Sequence, residues 1–483
     1  MLSTHDERHG ARRCLRAATA LALLLLSPCL AAAAELPRAV QQVLTSHHVP
    51  QSSIGVIVQE IGATNALVSV NPDVPRNPAS AIKVVTTLAA LEELGPDYTW
   101  ATEIYTSEPV RGGVLDGDLI IKGYGDPYLV TEEFWKMLGA LHRQGLDRIN
   151  GDFVVDNSYF APPAEDPGAF DNRPFHSYNV LPDALLVNFK AIYFHFYSGS
   201  NAIDIRTDPE LPNLKIDNRL QPSGGSCGGY QRGITMIVPD PAVADRVVFE
   251  GRFPKACRYY TLARSALTPP AYAFGVFKSL WQQQGGSISG GLRIGKAPTD
   301  RRPTLIWRSR PLGEVIRLVN KFSNNVMTRQ ILLTLGAELE GEPGTNEKGA
   351  QAVNDYLAKR GIDTSSMRLD NGAGLSRDAR ISARMLADVL LYADSIPFSP
   401  EFISSLAILG RDGTARNRLR KRRESGHAHV KTGTIDHVSS IAGYVYAASG
   451  RRFVVVGLVN HADVHRGAGE QLWNTLIQWT YTQ

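Results

Sequence analysis

Hydrophobic and polar positions change their period twice along the chain. After Glu35, "LPRAVQQVLTS" has helical spacing, "SIGVIVQEI" reads as a short strand, and Val84, Val85, Leu88 and Leu91 return to helical spacing in "NPASAIKVVTTLAAL". Between 105 and 300 the pattern shortens. "GDLIIKGYG", "GDFVVDNS", "LKIDNRL", "GITMIVPD" and "RVVFEGRF" read as strands between Pro, Gly and Asp turns. One helical exception, "AYAFGVFKSLWQQQGG", interrupts them. From about 310 helices return in "LGEVIRLVNKFSNNVMTRQILLTLG", "GAQAVNDYLAKRG" and "SARMLADVLLYAD". A strand meander follows in "HVKTGTIDHVSSIAGYVYAASGRRFVVVGLVNHA", with "SGRR" as its hairpin turn, and "GEQLWNTLIQWTY" closes the chain as an amphipathic helix. Helices and strands at both ends therefore bracket a β-rich insert, the arrangement of an α+β protein.

The 483 residues leave room for roughly two to four domains. A 43% apolar content is enough for a sizeable core, and a net charge of +4 is too mild to imply a nucleic-acid partner. The N-terminus changes the picture more. Arg8, Arg12, Arg13 and Arg16 precede the apolar run "ATALALLLLSPCLA" and the small-residue stretch "AAAAE". That layout predicts a signal peptide over 1–34, cleaved after Ala34, and an exported, periplasmic protein. An uncleaved anchor is the alternative, whereas Pro28 fits poorly with lipidation at Cys29. No later stretch approaches the 18 apolar residues of a membrane span.

Of the four cysteines, Cys14 and Cys29 leave with that segment. Cys227 and Cys257 remain, and in an oxidising compartment they read as one disulfide. Two cysteines without histidine spacing build no zinc cage. "HADVH" sets His461 and His465 four apart but lacks the Glu that zinc peptidases place after the first His, so it reads as surface loop. Neither a metal nor a cofactor is expected.

The chemistry-bearing pattern begins at Ser80. Lys83 stands three residues on, so hydroxyl and amine share one helix surface. An N-cap Ser beside a snorkelling Lys is the plain alternative. Two downstream motifs weigh against it: Ser323-Asn324-Asn325, and Lys431-Thr432-Gly433-Thr434 at the head of a strand. In this order the three motifs resemble those of the penicillin-recognising serine acyltransferases. Together with "GDLIIKGYGDPYL", "ALLVNF", "DNGAGLSRDARIS" and "GRDGT", they make the chain similar to the D-alanyl-D-alanine carboxypeptidase/endopeptidases, the class C low-molecular-mass penicillin-binding proteins of the penicillin-binding protein 4 type. The resemblance implies a β-lactamase/transpeptidase-like domain with an antiparallel sheet of about five strands flanked by helices, formed by 35–104 and 301–483. It also implies a large insertion at 105–300, with two subdomains, the inner one roughly 185–265. Its implied partners are peptidoglycan stem peptides, with β-lactams as inhibitors.

The residues suit that chemistry. Without a G-x-S-x-G elbow or a histidine partner, Ser80 needs an amine as base. Burial and a second cation at Lys431 would each lower the pKa of Lys83 towards that task. Ser323 can pass a proton to the departing amine, with Lys431 tuning it, and Asn325 offers its amide to the substrate backbone. Thr432 and Thr434 can hold a free α-carboxylate, and Gly433 lets the strand approach. The resemblance further implies an oxyanion hole from the backbone N–H groups of Ser80 and Thr434. It places Arg377 near the cleft, the alternative being a surface ion pair, and Asp171 near the diaminopimelate end of the stem peptide. The six cations of "RNRLRKRR" (416–423) read as a solvated face, with attraction to the anionic wall as the alternative. Asn324 stands where relatives often carry Asp, and Asp436 makes the rim after the K-T-G strand more acidic. Two rival functions remain: a β-lactamase, against which stands the absence of an E-x-x-L-N segment between Ser80 and Lys431, and a catalytically silent wall-binding protein.

Overall fold

The strand Val438–Tyr446 is buried along nearly its whole length, as a strand covered on both faces must be. It pairs antiparallel with the K-T-G strand Ala428–Ile435 on one side and with Arg452–Asn460 on the other. Ile54–Glu60 and Val68–Val70 extend the sheet on the second side, and Ala407–Ile408 closes the first. The sheet thus has six strands where about five were expected. The additional one is two residues long, too short to leave an alternation in the sequence. The computed structural model describes residues 35–162, 165–199, 202–228 and 233–483. The segment read as a signal peptide, 1–34, lies outside them.

One face of this sheet is covered by the helices Arg38–Ser46 and Ala468–Tyr481, whose Val40, Leu44, Leu472, Trp473 and Leu476 pack with Val455 and Ile441. On the other face lies Lys83–Glu93, in which all residues up to Leu91 are buried. A helix buried on every side sits in the middle of a core, and this one packs against the helices Leu312–Phe322, Asn325–Glu340, Asn346–Ala358 and Ala383–Ser395. The long helical pattern around "NKFSNNVM" is in fact two helices. Ser323 breaks it in the left-handed region (φ 58°), and the Asn324 side chain caps the second helix by accepting from Met327 N–H at 3.1 Å.

The stretch read as an insert, 105–300, is flanked by adjacent strands, since Ala101–Thr106 pairs antiparallel with Leu305–Arg308. Both belong to a five-stranded mixed sheet with Leu119–Gly123, Phe153–Asp156 and Leu292–Ile294. Its helices are Pro269–Gln283, as expected, and Thr131–Arg143, which the β-rich reading of this region missed. Phe134, Met137, Leu138 and Leu141 were its legible signal, buried at helical spacing. Further out, two three-stranded sheets lie between Ile192 and Arg264. There Cys227 faces Cys257 with Cα atoms 4.8 Å apart, within disulfide reach. No helix among the described residues is long and apolar enough to cross a membrane.

Candidate active site

Ser80 sits in a 3-10 turn, Ala79–Ile82, that leads into the Lys83 helix. The turn is clamped from several sides. Asn77 Oδ1 accepts from Ala79 N–H at 2.8 Å, Asn460 Oδ1 accepts from Asn77 N–H at 2.8 Å, and the Ser440 hydroxyl donates to Pro78 O. Ala79 adopts φ 44°, and Gly374 (φ 74°) packs so closely that a Cβ there would lie 1.9 Å from Ala79 O. Ser80 makes no side-chain cap, and Lys83 is 0% exposed. The capping and snorkelling alternative is therefore not what the fold builds.

The Lys83 amine touches three acceptors. Nζ lies 3.0 Å from Ser80 Oγ and 2.8 Å from Asn325 Oδ1, and it donates to the Ala373 carbonyl. Asn325 Nδ2 donates to Tyr178 O at 3.2 Å, which fixes the amide with its oxygen towards Lys83. A neutral amine has two N–H groups and one lone pair. Asn325 Oδ1 and Ala373 O take the N–H groups, so the lone pair is left for the Ser80 hydroxyl. Burial, and after it the charge of Lys431, hold the Lys83 amine well below the ordinary lysine range.

Lys431, also fully buried, donates to Ser323 Oγ at 2.9 Å and to Thr432 O at 2.7 Å. Burial pushes its pKa down to about 7. The strand carrying it presses on the nucleophile turn: a Cβ on Gly433 would lie 2.7 Å from Pro78 O and 2.8 Å from Ser80 N. Thr432 Oγ1 meets Thr414 Oγ1 at 2.8 Å, a partner from the "GRDGT" loop.

Two openings flank Ser80. One, of about 550 Å³, is bounded by Ser80, Ser323, Asn325, Thr434, Arg377 and Asp171. The other, of about 290 Å³, also reaches Ser80, Ser323, Thr432 and Thr434, and includes Thr414 and Arg418. Arg377 lies at the rim of the larger opening, stacked 4.3 Å over Phe170 and 3.6 Å from Asp436 Oδ2. Asp171 accepts from the Tyr178 hydroxyl at 2.6 Å and from Asn179 at 2.8 Å. Burial opposes its ionisation, yet those bonds win and hold its carboxyl below the usual range. The fold thus brings together every residue picked out around the three motifs. Sequence reasoning missed Tyr178 and Phe170, which the insert supplies, and Thr414 and Arg418. The Ala373 contact uses a backbone carbonyl, which no residue type announces.

His437, Asp463 and His465 bring ligand atoms within 4.8 Å of one another behind this rim. His437 Nδ1 accepts from Asp463 N–H and His465 Nδ1 accepts from His437 N–H. With both Nδ1 atoms occupied as acceptors, each ring presents Nε2 as a donor and not as a ligand. The group is better suited to bracing the rim, where His465 Nε2 lies 3.5 Å from Asp436.

The family model for the D-Ala-D-Ala carboxypeptidase 3 (S13) family matches residues 36–482. The chain belongs to that family. This family member is 28% identical over 474 residues to a D-alanyl-D-alanine carboxypeptidase of an Actinomadura species, covering 92% of this chain and 86% of the relative. Penicillin binding protein 4 (dacB) of Haemophilus influenzae shares its fold with a TM-score of 0.78 at 23% identity, over 92% of this chain and 99% of that one. A predatory peptidoglycan endopeptidase of Bdellovibrio bacteriovorus aligns with a TM-score of 0.52 at 16% identity, over 89% and 92% of the two chains. The family and the α+β fold implied by the three motifs are therefore those of this protein, a hydrolase of the D-Ala-D-Ala carboxypeptidase class.

Proposed function

We propose that the protein releases terminal D-alanine from peptidoglycan stem peptides through an acyl-enzyme on Ser80, and that it opens D-alanyl cross-links by the same route. The observation that carries this reading is the buried Lys83 amine, held between Ser80 Oγ and two acceptors that occupy its N–H groups. Lys83 takes the Ser80 proton as Oγ attacks the carbonyl of the penultimate D-alanine. The N–H groups of Ser80 and Thr434 receive the developing oxyanion. Ser323 relays a proton from Lys431 to the departing nitrogen as the C–N bond breaks; water then hydrolyses the ester, losing a proton to Lys431 while Lys83 returns one to Ser80 Oγ. Asn325 holds the substrate backbone, and Thr432 and Thr434 take the free carboxylate. Arg377 and Asp171 face the third residue of the stem, one from each wall.

The insert, 105–300 with its inner part at 185–265, roofs this cleft and limits which wall strands enter; the Tyr178–Asn325 contact supports that role. The basic and apolar N-terminal run and the Cys227–Cys257 pairing support an exported, disulfide-bonded periplasmic protein. The β-lactam ring presents the same acyl carbonyl, so penicillin is an inhibitor. Mass spectrometry after brief exposure to a penicillin, alongside a D-alanine release assay on a synthetic stem peptide, tests the reading. A lasting adduct on Ser80 and released D-alanine are expected. Rapid penicillin hydrolysis without an adduct indicates a β-lactamase, and intact protein that releases no D-alanine indicates a silent wall-binding protein.

A further inference from the structure

The basic run 416–423 is not uniformly solvated. Arg416, Arg420, Lys421, Arg422 and Arg423 are exposed, but Arg418 is buried at 7% exposure. It lines the smaller opening beside Ser80, with Ser323, Thr414, Thr432 and Thr434. Its partners are both neutral: Nε donates to Asn474 Oδ1 at 2.8 Å and Nη2 to Glu470 O at 3.2 Å. Among the described residues Nη1 makes no hydrogen bond, and no carboxylate lies within ion-pair distance of the guanidinium. A buried cation held by neutral partners, with only the exposed Glu470 carboxylate acting on it from beyond ion-pair distance, is costly to keep. Here it stands in the pocket of a nucleophile whose substrate ends in a carboxylate.

We propose that Arg418 anchors the free α-carboxylate of the residue being released, in the pocket it shares with Thr414, Thr432 and Thr434. This rests on the serine carboxypeptidase reading and adds to it a charged recognition element. The hydroxyls of the K-T-G strand can orient a carboxylate but bring no charge, whereas a guanidinium supplies both charge and a planar fork of donors. Glu470 also borders the pocket. It is exposed, so water and salt screen it, while the cation acts from the drier interior. The released fragment keeps a carboxylate next to its new amine in trimming, and also in cross-link cleavage at a free α-amino-acid centre. One anchor therefore serves both cuts.

The discriminating experiment compares D-alanine release from a D-Ala-D-Ala peptide with D-alaninamide release from its C-terminal amide. It uses the full protein as wild type, Arg418→Gln and Arg418→Lys. Wild type is expected to prefer the acid. The acid-to-amide ratio of kcat/KM is expected to fall about 10- to 100-fold in Arg418→Gln, the range for a lost charge-assisted pair. Arg418→Lys, which keeps charge without the fork, is expected to lie between. A purely structural arginine would lower both substrates in parallel, and that result overturns the proposal. If Arg418→Gln does not fold, wild type still decides, because an acid-to-amide ratio near one rules the anchor out. Wild type that releases neither product sinks the acyl-enzyme reading itself, whereas active wild type with an unmoved ratio sinks only the anchor.

Discussion

Asn325 Oδ1 lies 2.8 Å from Lys83 Nζ, although 242 positions separate the two residues. The contact occupies one N–H of the amine with a neutral acceptor where a carboxylate would have stabilised the ammonium. Asn325 is itself oriented by Tyr178 O from the insert. The amide that meets the Lys83 amine is thus oriented by a carbonyl 147 positions away from it in the chain.

Replacing Lys83 with Arg tests the role of that amine. A guanidinium stays protonated at any accessible pH, so acylation of Ser80 by a fluorescent penicillin is expected to slow by about 10²–10⁴-fold, the usual share of a general base. The wild-type pH profile carries the sign. Acylation should rise with pH as the amine loses its proton, with the rise centred well below the ordinary lysine value, because burial and Lys431 both disfavour the charged form. A rise centred near 10.4, where free lysine titrates, would contradict a neutral base.

Lys431 makes a stability prediction. Its pKa is about 7 in the fold against 10.5 for the free side chain, so between those values the unfolded chain binds more protons than the native one. Stability linked to this group therefore rises with pH across that window and is lost as pH falls through about 7. Lys431→Met has no charge to bury. The melting temperature of wild type minus that of Lys431→Met should climb from pH 7 to pH 10, by the equivalent of a few kcal/mol. A flat difference would mean that Lys431 stays charged and paired in the native state.

How much of this was legible in the sequence depended on the range of the signal. Val84, Leu88 and Leu91 announced a core helix, and the S-x-x-K, S-x-N and K-T-G motifs announced three walls of one pocket, because the chemistry needs those residue types. A helix–loop position suited Ser323, but nothing in "KFSNN" requires a left-handed serine; the break sets its hydroxyl 2.9 Å from the Lys431 amine. Arg418 was hidden in the opposite way. Its neighbours in the basic run have the composition of a solvated face, and only the packing of the Gly413–Ala415 turn under the K-T-G strand turns one of them inward. Tyr178 and Phe170 reach the opening beside Ser80 from a distant stretch of chain, a meeting that leaves no local trace in the sequence.

The Cys227–Cys257 pair closes a loop of 30 residues in the outermost sheets. A disulfide across a loop of that size is expected to stabilise the lobe by about 3–4 kcal/mol. Reduction should lower the melting of the oxidised protein by about 3–4 °C, and the Cys227→Ser/Cys257→Ser variant should melt like the reduced form. D-alanine release at 25 °C should survive reduction, because neither cysteine borders Ser80. Unchanged melting after reduction would mean that the bond is not formed in the protein as made.

Gly433 gives the most local test of the geometry. Its φ lies outside the left-handed region, so alanine there meets no backbone penalty, only contacts. The Ser440 hydroxyl, 2.3 Å from the new Cβ, can rotate away, but Pro78 O at 2.7 Å and Ser80 N at 2.8 Å belong to the clamped turn. Gly433→Ala must therefore push the K-T-G strand off the nucleophile. A shift of about 1 Å between Ser80 and Thr434 misplaces the oxyanion donors and is expected to cost about 10²-fold in kcat/KM. Overpacking should also remove ~1–3 kcal/mol of stability. Asn325 Oδ1 and Ala373 O, which meet the Lys83 amine, belong to other segments, so the pH midpoint of the residual activity is expected to move far less than the rate. Full acylation rate in Gly433→Ala would show that the strand and the turn are not in register for a shared oxyanion site.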